Sequence, residues 1–236
     1  IVEGAIYNPL TNFGFGLDIQ NYSWRILNEH PEIDTILFTL RKAVHCAYKN
    51  NTIQVASSGN LGFPNKPLAD TSFLPASFND EWILKIGAYE PIGIGANSHK
   101  ERVDFSVFGP NLDILAPGIN SDIYTLGNNY QYRSFSGTSA SAPHVSGVAA
   151  LLLSMHNPMY QPLYPNKLSM EDVEYLIKKN ASPITKDWFE PGVTLSSPNK
   201  YSGHGALDAY NTLKMASLPY KVYHFNHKVS KDDGIL

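Results

Sequence analysis

The sequence predicts an α/β fold in which a mainly parallel sheet is flanked by helices. Residues 52–60 (TIQVASSGN) and 81–90 (EWILKIGAYE) are typical of short strands, and the second is apolar enough to be buried on both faces, as in a parallel sheet. The nearly all-apolar segment Pro143–Met155 predicts a helix enclosed by other elements. Because strand and helix patterns alternate along the chain, a layered α/β domain is favoured.

The remaining elements follow from periodicity and turn residues. Apolar residues at helical spacing predict a helix over residues 39–51, ended by two asparagines. Residues 104–110 (DFSVFGP) and 112–118 (LDILAPG) are strand candidates that each close on a Gly/Pro turn. A helix is predicted at 169–180, where Ser169 is the N-cap, acidic residues lie in the first turn and lysines in the last. Residues 205–216 (GALDAYNTLKMA) form a further helix candidate.

Length and composition indicate one ordered domain. The chain has 236 residues, 43% hydrophobic and 17% charged, and a net charge of −3, which gives no case for nucleic-acid binding. Its longest apolar stretch, Val145–Leu153, is far short of the ~20 residues that a transmembrane helix needs. With Cys46 as the single cysteine, no intrachain disulfide is possible, and its helical context predicts a buried apolar role.

Small residues precede the apolar helix in GTSASAPHV, which begins at Gly137. Proline is tolerated in the first turn of a helix, so Pro143 predicts a helix start just before it and Ser139 at the helix entrance. A serine there lies beside unpaired backbone N–H groups that can stabilise an oxyanion. Composition alone allows equally a small-residue helix start that packs closely against a strand.

The longer motif Gly137–Gly147 (GTSASAPHVSG) resembles the nucleophile motif of the subtilisin-like serine proteases, or subtilases. Further resemblances follow in family order at residues 55–60, 74–88, 104–118 and 203–210, and together they cover roughly residues 17 to 216. The resemblance implies a three-layer subtilisin-like fold. Residues 1–216 would be the C-terminal two thirds of a catalytic domain whose N-terminal part is absent, and residues 217–236 a peripheral tail.

Carried over from the family, Ser139 is the acylated nucleophile and Asn60 the oxyanion donor. The segment Asn21–Trp24 resembles the strand that pairs with an extended substrate. The resemblance implies that the walls of the primary side-chain pocket are Ser23 and Trp24 on one side and Ser57, Ser58 and Gly59 on the other. Arg25 departs from the family, which usually has glycine there, and a bulky charged side chain would narrow or reshape the cleft.

The general base that a serine nucleophile needs is not evident. The family's Asp-(Thr/Ser)-Gly and His-Gly-Thr-His segments do not occur in this sequence. His204 lies in the segment that resembles a C-terminal helix start, and His144 follows the nucleophile on its own helix, so both are interpreted as structural. We expect the histidine and aspartate to come from an N-terminal segment outside these residues, cleaved, disordered or simply beyond them. Without that segment, the chain should be nearly inactive.

The sequence therefore predicts a serine endopeptidase that acts on peptides or proteins. The alternative is a catalytically inactive, protease-like module that binds peptides by strand addition. The resemblance makes calcium possible, but no dense Asp/Asn loop and no His or Cys spacing assigns a metal ligand, and no other cofactor is indicated. A secreted or cell-surface location is what the resemblance implies.

Overall fold

The fold is known from a computed structural model, which describes residues 1–26, 33–60, 74–78, 82–92, 99–119, 123–156, 168–184, 186–187 and 196–216. The predicted tail, residues 217–236, lies outside the described residues.

Six strands of the described residues form a sheet at the centre of this part of the chain. Its strands are β1 (Ile19–Tyr22), β2 (Ile53–Ser57), β3 (Leu84–Ile92), β4 (His99–Arg102), β5 (Ile114–Pro117) and β8 (Lys186–Asp187). Strand β2 runs parallel to β1 and β3, and β5 runs parallel to β3. The end of β3 pairs antiparallel with β4, which is followed by β8 in parallel. The prediction of a mainly parallel sheet is confirmed, and every residue of β2 is buried, as expected for a strand covered on both faces.

Helices cover both faces of this sheet. They are α1 (Val2–Ala5), α2 (Ile33–Lys49), α3 (Thr138–Met155), α4 (Met170–Lys179) and α5 (Ala209–Ala216). Residues of α3, α4 and α5 pack with the sheet in one core that includes Val55, Ile86 and Ile114. Val44 of α2 packs in a second core with Ala56 of β2. The three-layer α/β architecture is therefore as predicted.

Two helix ends show how local chemistry set the boundaries. Ser169 caps α4, because its hydroxyl accepts the Asp172 N–H at 3.1 Å while Asp172 accepts the Ser169 N–H at 2.9 Å. Helix α2 ends as predicted before Asn50, whose side chain donates to the Cys46 carbonyl at 2.8 Å. It begins at Ile33, six residues before the predicted start, and Cys46 is half-buried where burial was predicted.

The structure corrects the prediction for residues 104–110, which form no strand. The Val103 N–H bonds to the Ala88 carbonyl and the Val107 N–H to the Gly59 carbonyl, while the Arg102 side chain donates to the Ser106 carbonyl at 2.9 Å. Because these groups find separate partners, no regular ladder forms. The next candidate, residues 112–118, contains β5 as predicted.

Two predictions about the apolar helix α3 are wrong. It begins at Thr138, so Pro143 lies in its second turn instead of its first. It is also not enclosed by the described part of the chain: one side, which we call the open α3 face, is exposed at Pro143, His144, Gly147, Ala150 and Leu151. A Cβ added at Gly147 would meet no atom within 4 Å. Only the opposite side of the helix packs on the sheet.

A separate antiparallel pair, β6 (Tyr124–Leu126) and β7 (Tyr132–Ser134), leads into α3 and was not predicted. Helix α1 was not predicted, whereas β1 overlaps the segment Asn21–Trp24, which was expected to contain a strand. Among the described residues, no helix combines the length and apolar character needed to cross a membrane.

Candidate active site

The candidate site lies where the parallel strands end. Strand β1 leads directly into Ser23, β2 leads into the loop Ser58–Asn60, and β5 leads into Gly118, whose carbonyl accepts the Gly137 N–H at 2.7 Å. Because parallel strands share one carboxyl edge, these loops meet the start of α3 at the same edge. This is where open α/β sheets bind ligands.

Gly137 and Ser139 define the entrance of α3. Gly137 is the N-cap residue with φ +136°, a conformation that favours glycine, and Ser139 is the second residue of the helix. In the described part of the chain, no acceptor is found for the Ser139 N–H. The entrance therefore presents an unpaired donor beside a half-buried serine hydroxyl, with the positive end of the helix dipole behind both.

The Asn60 amide is held in one orientation by Thr138. Asn60 Oδ1 accepts hydrogen bonds from the Thr138 N–H and the Thr138 hydroxyl, each at 2.8 Å. The Thr138 hydroxyl in turn accepts the Gly59 N–H at 3.1 Å. Since a backbone N–H can only donate, the atom facing it must be the amide oxygen, and Nδ2 is left as a free donor on the exposed side of Asn60 among the described residues. A Cβ at Gly137 would lie 2.8 Å from that Nδ2, so the glycine keeps the space open.

Residues 103–108 hold the loop that carries Asn60 in place. Asn60 and Ser106 form an isolated antiparallel bridge, the Val107 N–H bonds to the Gly59 carbonyl at 3.1 Å, and the Ser58 hydroxyl donates to the Val107 carbonyl at 3.0 Å. The guanidinium of Arg102 is almost completely buried and lies over the Phe108 ring. These contacts fix the position of the oxyanion candidate without touching its amide.

The predicted pocket residues occupy different environments. Ser23 and Trp24 are exposed, and the Trp24 ring lies 5.8 Å from that of Tyr22. Ser57 and Ser58 are buried, with their hydroxyls on backbone carbonyls, and Gly59 is buried beside Thr138. Of the five residues, Trp24 alone presents an exposed side chain that makes no hydrogen bond within the described residues. Ser57–Gly59 could present backbone alone.

Ser23 is joined to Ser139, a contact that sequence reasoning missed. The Ser23 hydroxyl donates to the Ser139 carbonyl at 3.0 Å, and the Ser139 hydroxyl lies 3.5 Å from the Ser23 carbonyl. Thr138 was missed as well, although its place beside Ser139 in the motif was a signal. The strand that carries Ser23 is fixed from below, where the buried Tyr22 hydroxyl lies 2.8 Å from Gln20 Oε1. Burial raises the pKa of Tyr22 well above its usual range.

No described histidine or carboxylate makes a hydrogen bond with the Ser139 hydroxyl. The Nδ1–H of His144 donates to the Ala140 carbonyl at 2.7 Å, one turn earlier on α3. His204 lies near Lys178 and Asp113, and burial, followed by the Lys178 charge, lowers the pKa of His204. The described residues also contain no group of three or more metal-ligating side chains.

A serine at the entrance of a helix, beside a fixed amide donor at the edge of a parallel sheet, places a hydroxyl and hydrogen-bond donors where they could act together on a carbonyl group. The model of the subtilase family (peptidase S8) matches residues 2–210. The chain belongs to the subtilase family.

Curated relatives are bacterial proteases. The chain is 33% identical over 130 residues to Subtilisin DY of Bacillus licheniformis. The aligned region covers 55% of this chain and 43% of that relative. It is 32% identical over 146 residues to the major intracellular serine protease of Bacillus subtilis. This aligned region covers 61% of this chain and 40% of that relative. The chain thus spans about two fifths of the length of these two relatives.

Solved structures of proteases share the fold. The prenylagaramide maturation protease PagA superposes with a TM-score of 0.60 at 28% identity, covering 86% of this chain and 62% of that one. The self-cleaved protease domain of PatA superposes with a TM-score of 0.58 at 27% identity, covering 85% and 62% of the two chains.

Proposed function

We propose that this chain carries the nucleophile and the oxyanion donors of a subtilisin-like serine endopeptidase, which cleaves peptide bonds through an acyl-enzyme on Ser139. The observation that carries the proposal is the Asn60 amide: its oxygen accepts two hydrogen bonds from Thr138, and no described residue accepts a hydrogen bond from its Nδ2. Together with the unpaired Ser139 N–H, it supplies two donors next to a serine hydroxyl. That combination suits acyl transfer, and a purely structural helix start has no need of it.

In the proposed reaction, the Ser139 oxygen attacks the carbonyl carbon of the scissile bond and gives its proton to a base. The negative charge that develops on the carbonyl oxygen is stabilised by the Asn60 Nδ2–H and the Ser139 N–H. The base then protonates the leaving amine, the C–N bond breaks, and an ester on Ser139 remains. Water hydrolyses that ester and regenerates the serine.

The base and its orienting aspartate come, in this proposal, from another segment of the same protein, either continuous with this chain or cleaved from it. The open α3 face supports this, because an apolar helix side that includes Gly147 and Leu151 (52% exposed) lacks a cover among the described residues. Strand β1 pairs only with β2 in the described sheet, so its other edge can accept a further strand. Strand β1 leads into Ser23, which contacts Ser139, and the open α3 face lies on the helix that Ser139 begins.

The proposed substrate is a peptide or protein bound in extended form along Ser23 and Trp24. The backbone of Ser57, Ser58 and Gly59 would form the facing wall. Arg25 is exposed next to Trp24 and would bring a positive charge to the cleft.

Labelling with a fluorophosphonate probe tests the proposal. The full-length protein should form a covalent adduct at Ser139, located by peptide mass spectrometry, and Ser139→Ala should abolish both the adduct and peptide hydrolysis. An adduct that persists in Ser139→Ala would overturn the assignment. A denaturing intact-mass spectrum of the same sample shows whether a species heavier than 26.2 kDa, or a second chain, is present to supply the base.

The second candidate is an inactive, peptide-binding module. It is favoured by one observation: no described histidine or carboxylate contacts the Ser139 hydroxyl. Such a module would bind peptides with micromolar affinity and show no turnover. An acyl adduct at Ser139 would exclude it.

We further propose that the protein acts outside the cell or at its surface, on the strength of the family resemblance. Fractionation of the source cells, with detection of the chain by antibody, tests the location. Recovery only from the cytoplasm would contradict it.

A further inference from the structure

The carbonyl group of Ser139 has an unusual status in helix α3. In a regular helix it would accept the N–H of the residue four positions later, which here is Pro143. Proline has no N–H, and its ring clashes with the carbonyl of the residue four positions earlier, which here is Ser139. The nucleophile's own backbone would therefore lack its helical partner, at the one residue whose position matters most for catalysis.

The missing partner is replaced from strand β1. The Ser23 hydroxyl donates to the Ser139 carbonyl at 3.0 Å, although the two residues are 116 positions apart. This contact joins the end of the strand to the first turn of the helix.

The Ser23 hydroxyl is oriented by two further side chains. Asn21 Nδ2 donates to the Ser23 oxygen at 2.9 Å, so the single Ser23 proton is directed to Ser139. The Ser146 hydroxyl lies 3.1 Å from Asn21 Oδ1 and 3.2 Å from the Ala142 carbonyl, and so fixes the Asn21 amide from the next turn of α3. The chain of bonds starts and ends on the same helix.

We propose that Ser23 is a positioning residue, whose hydroxyl takes the place of the helical N–H that Pro143 lacks and fixes the backbone of Ser139. The inference rests on the proposed function, because it assumes that Ser139 is the nucleophile. It differs from the sequence expectation for Ser23, which was a role in the wall of the substrate pocket. A pocket role and a positioning role predict different kinetics.

The two roles are separated by kcat and KM. Loss of a positioning bond lets the nucleophile shift, and misplacement by about 1 Å can cost up to ~100-fold. We expect Ser23→Ala to lower kcat and the rate of Ser139 acylation by a fluorophosphonate by roughly 10- to 100-fold, with little change in KM. Ser23→Thr, which keeps the hydroxyl, should retain most of the rate. Ser154→Ala, an exposed serine on the same helix, is the matched control and should leave the rate unchanged.

A double-mutant cycle with Pro143→Ala gives the decisive readout in the full-length protein. Alanine at position 143 restores the N–H that the Ser139 carbonyl lacks, so Ser23→Ala in that background should cost less than about threefold. The wild type must be labelled at Ser139 for the cycle to apply, and an unlabelled wild type would overturn the proposed function itself. If the wild type is labelled and Ser23→Ala lowers the rate equally in the wild type and in Pro143→Ala, the positioning role alone would be overturned. If Ser23→Ala does not fold, as judged by its thermal midpoint, Asn21→Ala takes its place in the cycle with the same expected sign.

Discussion

Asn60 Oδ1 accepts two hydrogen bonds from a single residue, the backbone N–H and the hydroxyl of Thr138, each at 2.8 Å. The pairing joins the loop after β2 to the first residue of α3. It fixes the direction of the free Nδ2–H before any substrate arrives. Preorganised donors of this kind cost no reorganisation when charge develops in the transition state.

The first prediction concerns the Asn60 donor. Asn60→Ala should lower kcat by about 10²–10³-fold with little change in KM, a range that was measured on subtilisin itself and is taken over from that family member. The reason is that the donor acts on charge that exists only in the transition state. Steady-state kinetics of the full-length protein checks it, with Asn128→Ala, an exposed asparagine outside the site, as the control. A loss confined to KM would contradict an oxyanion role.

The second prediction compares two glycines. Gly137→Ala would place a Cβ 2.8 Å from Asn60 Nδ2 at φ +136°, so we expect lower activity and a lower free energy of unfolding. Gly147→Ala meets no atom within 4 Å on the open α3 face and should raise the free energy of unfolding of this chain by about 0.5–1 kcal/mol. Urea denaturation of both variants measures the contrast. Equal effects would contradict the geometry described for Gly137.

The third prediction concerns Lys178, which links α4 to the start of β5. Its ammonium group lies 2.5 Å from Asp113 and also pairs with Glu174. Lys178→Met removes the cation that the two carboxylates share and should cost roughly 1–3 kcal/mol of stability. Burial and, after it, the Lys178 charge lower the pKa of His204. Without Lys178, that pKa should rise towards its usual value. Chemical denaturation and NMR titration of the imidazole measure the two effects, and the exposed Lys179→Met is the control.

The fourth prediction is a pH dependence at Asp208. Burial raises its pKa, but this is outweighed by hydrogen bonds from the Asn211 backbone N–H, the Ser182 hydroxyl and the Asn211 amide, and by the Lys100 charge, so the net pKa lies below its usual value. A carboxylate with a lowered pKa contributes stability that is complete above its unfolded pKa of ~3.9 and is lost as the pH falls through the folded value. Wild type should therefore be more stable than Asp208→Asn at pH 7.

That advantage should shrink as the pH drops below about 4. Urea denaturation at several pH values measures it, with Asp104→Asn, an exposed aspartate, as the control. An advantage that is constant from pH 7 to pH 3 would rule out the titration of Asp208 as its source.

Much of the fold was predictable, because buried strands and capped helices leave local signals. Every residue of β2 is buried, although Gln54 and Ser57 are polar, and Ser169 with Asp172 forms a complete capping box. Residues 104–110 misled because their alternation resembles a strand, while their backbone groups bond to a buried arginine and to two separate loops. Hydrogen bonds to distant residues do not appear in the spacing of apolar residues along the sequence.

The candidate site was predictable in its residues more than in its contacts. The motif around Ser139 and the asparagine after Ser-Gly were visible in the sequence. The contact of Ser23 with the Ser139 carbonyl was not, because it depends on Pro143 lying in the second turn of α3. The exposed side of that helix was also missed, because an all-apolar pattern does not reveal which side the described elements cover.

The distances along the chain between paired site residues have a consequence for folding. Ser23 and Ser139 are 116 positions apart, and Asn60 and Thr138 are 78 apart. Contacts of such separation close large loops, and chains dominated by them fold slowly. The contacts around Ser139 therefore cannot form from local structure alone. During synthesis, neither Ser23 nor Asn60 can make its contact with the start of α3 until translation has passed residue 139.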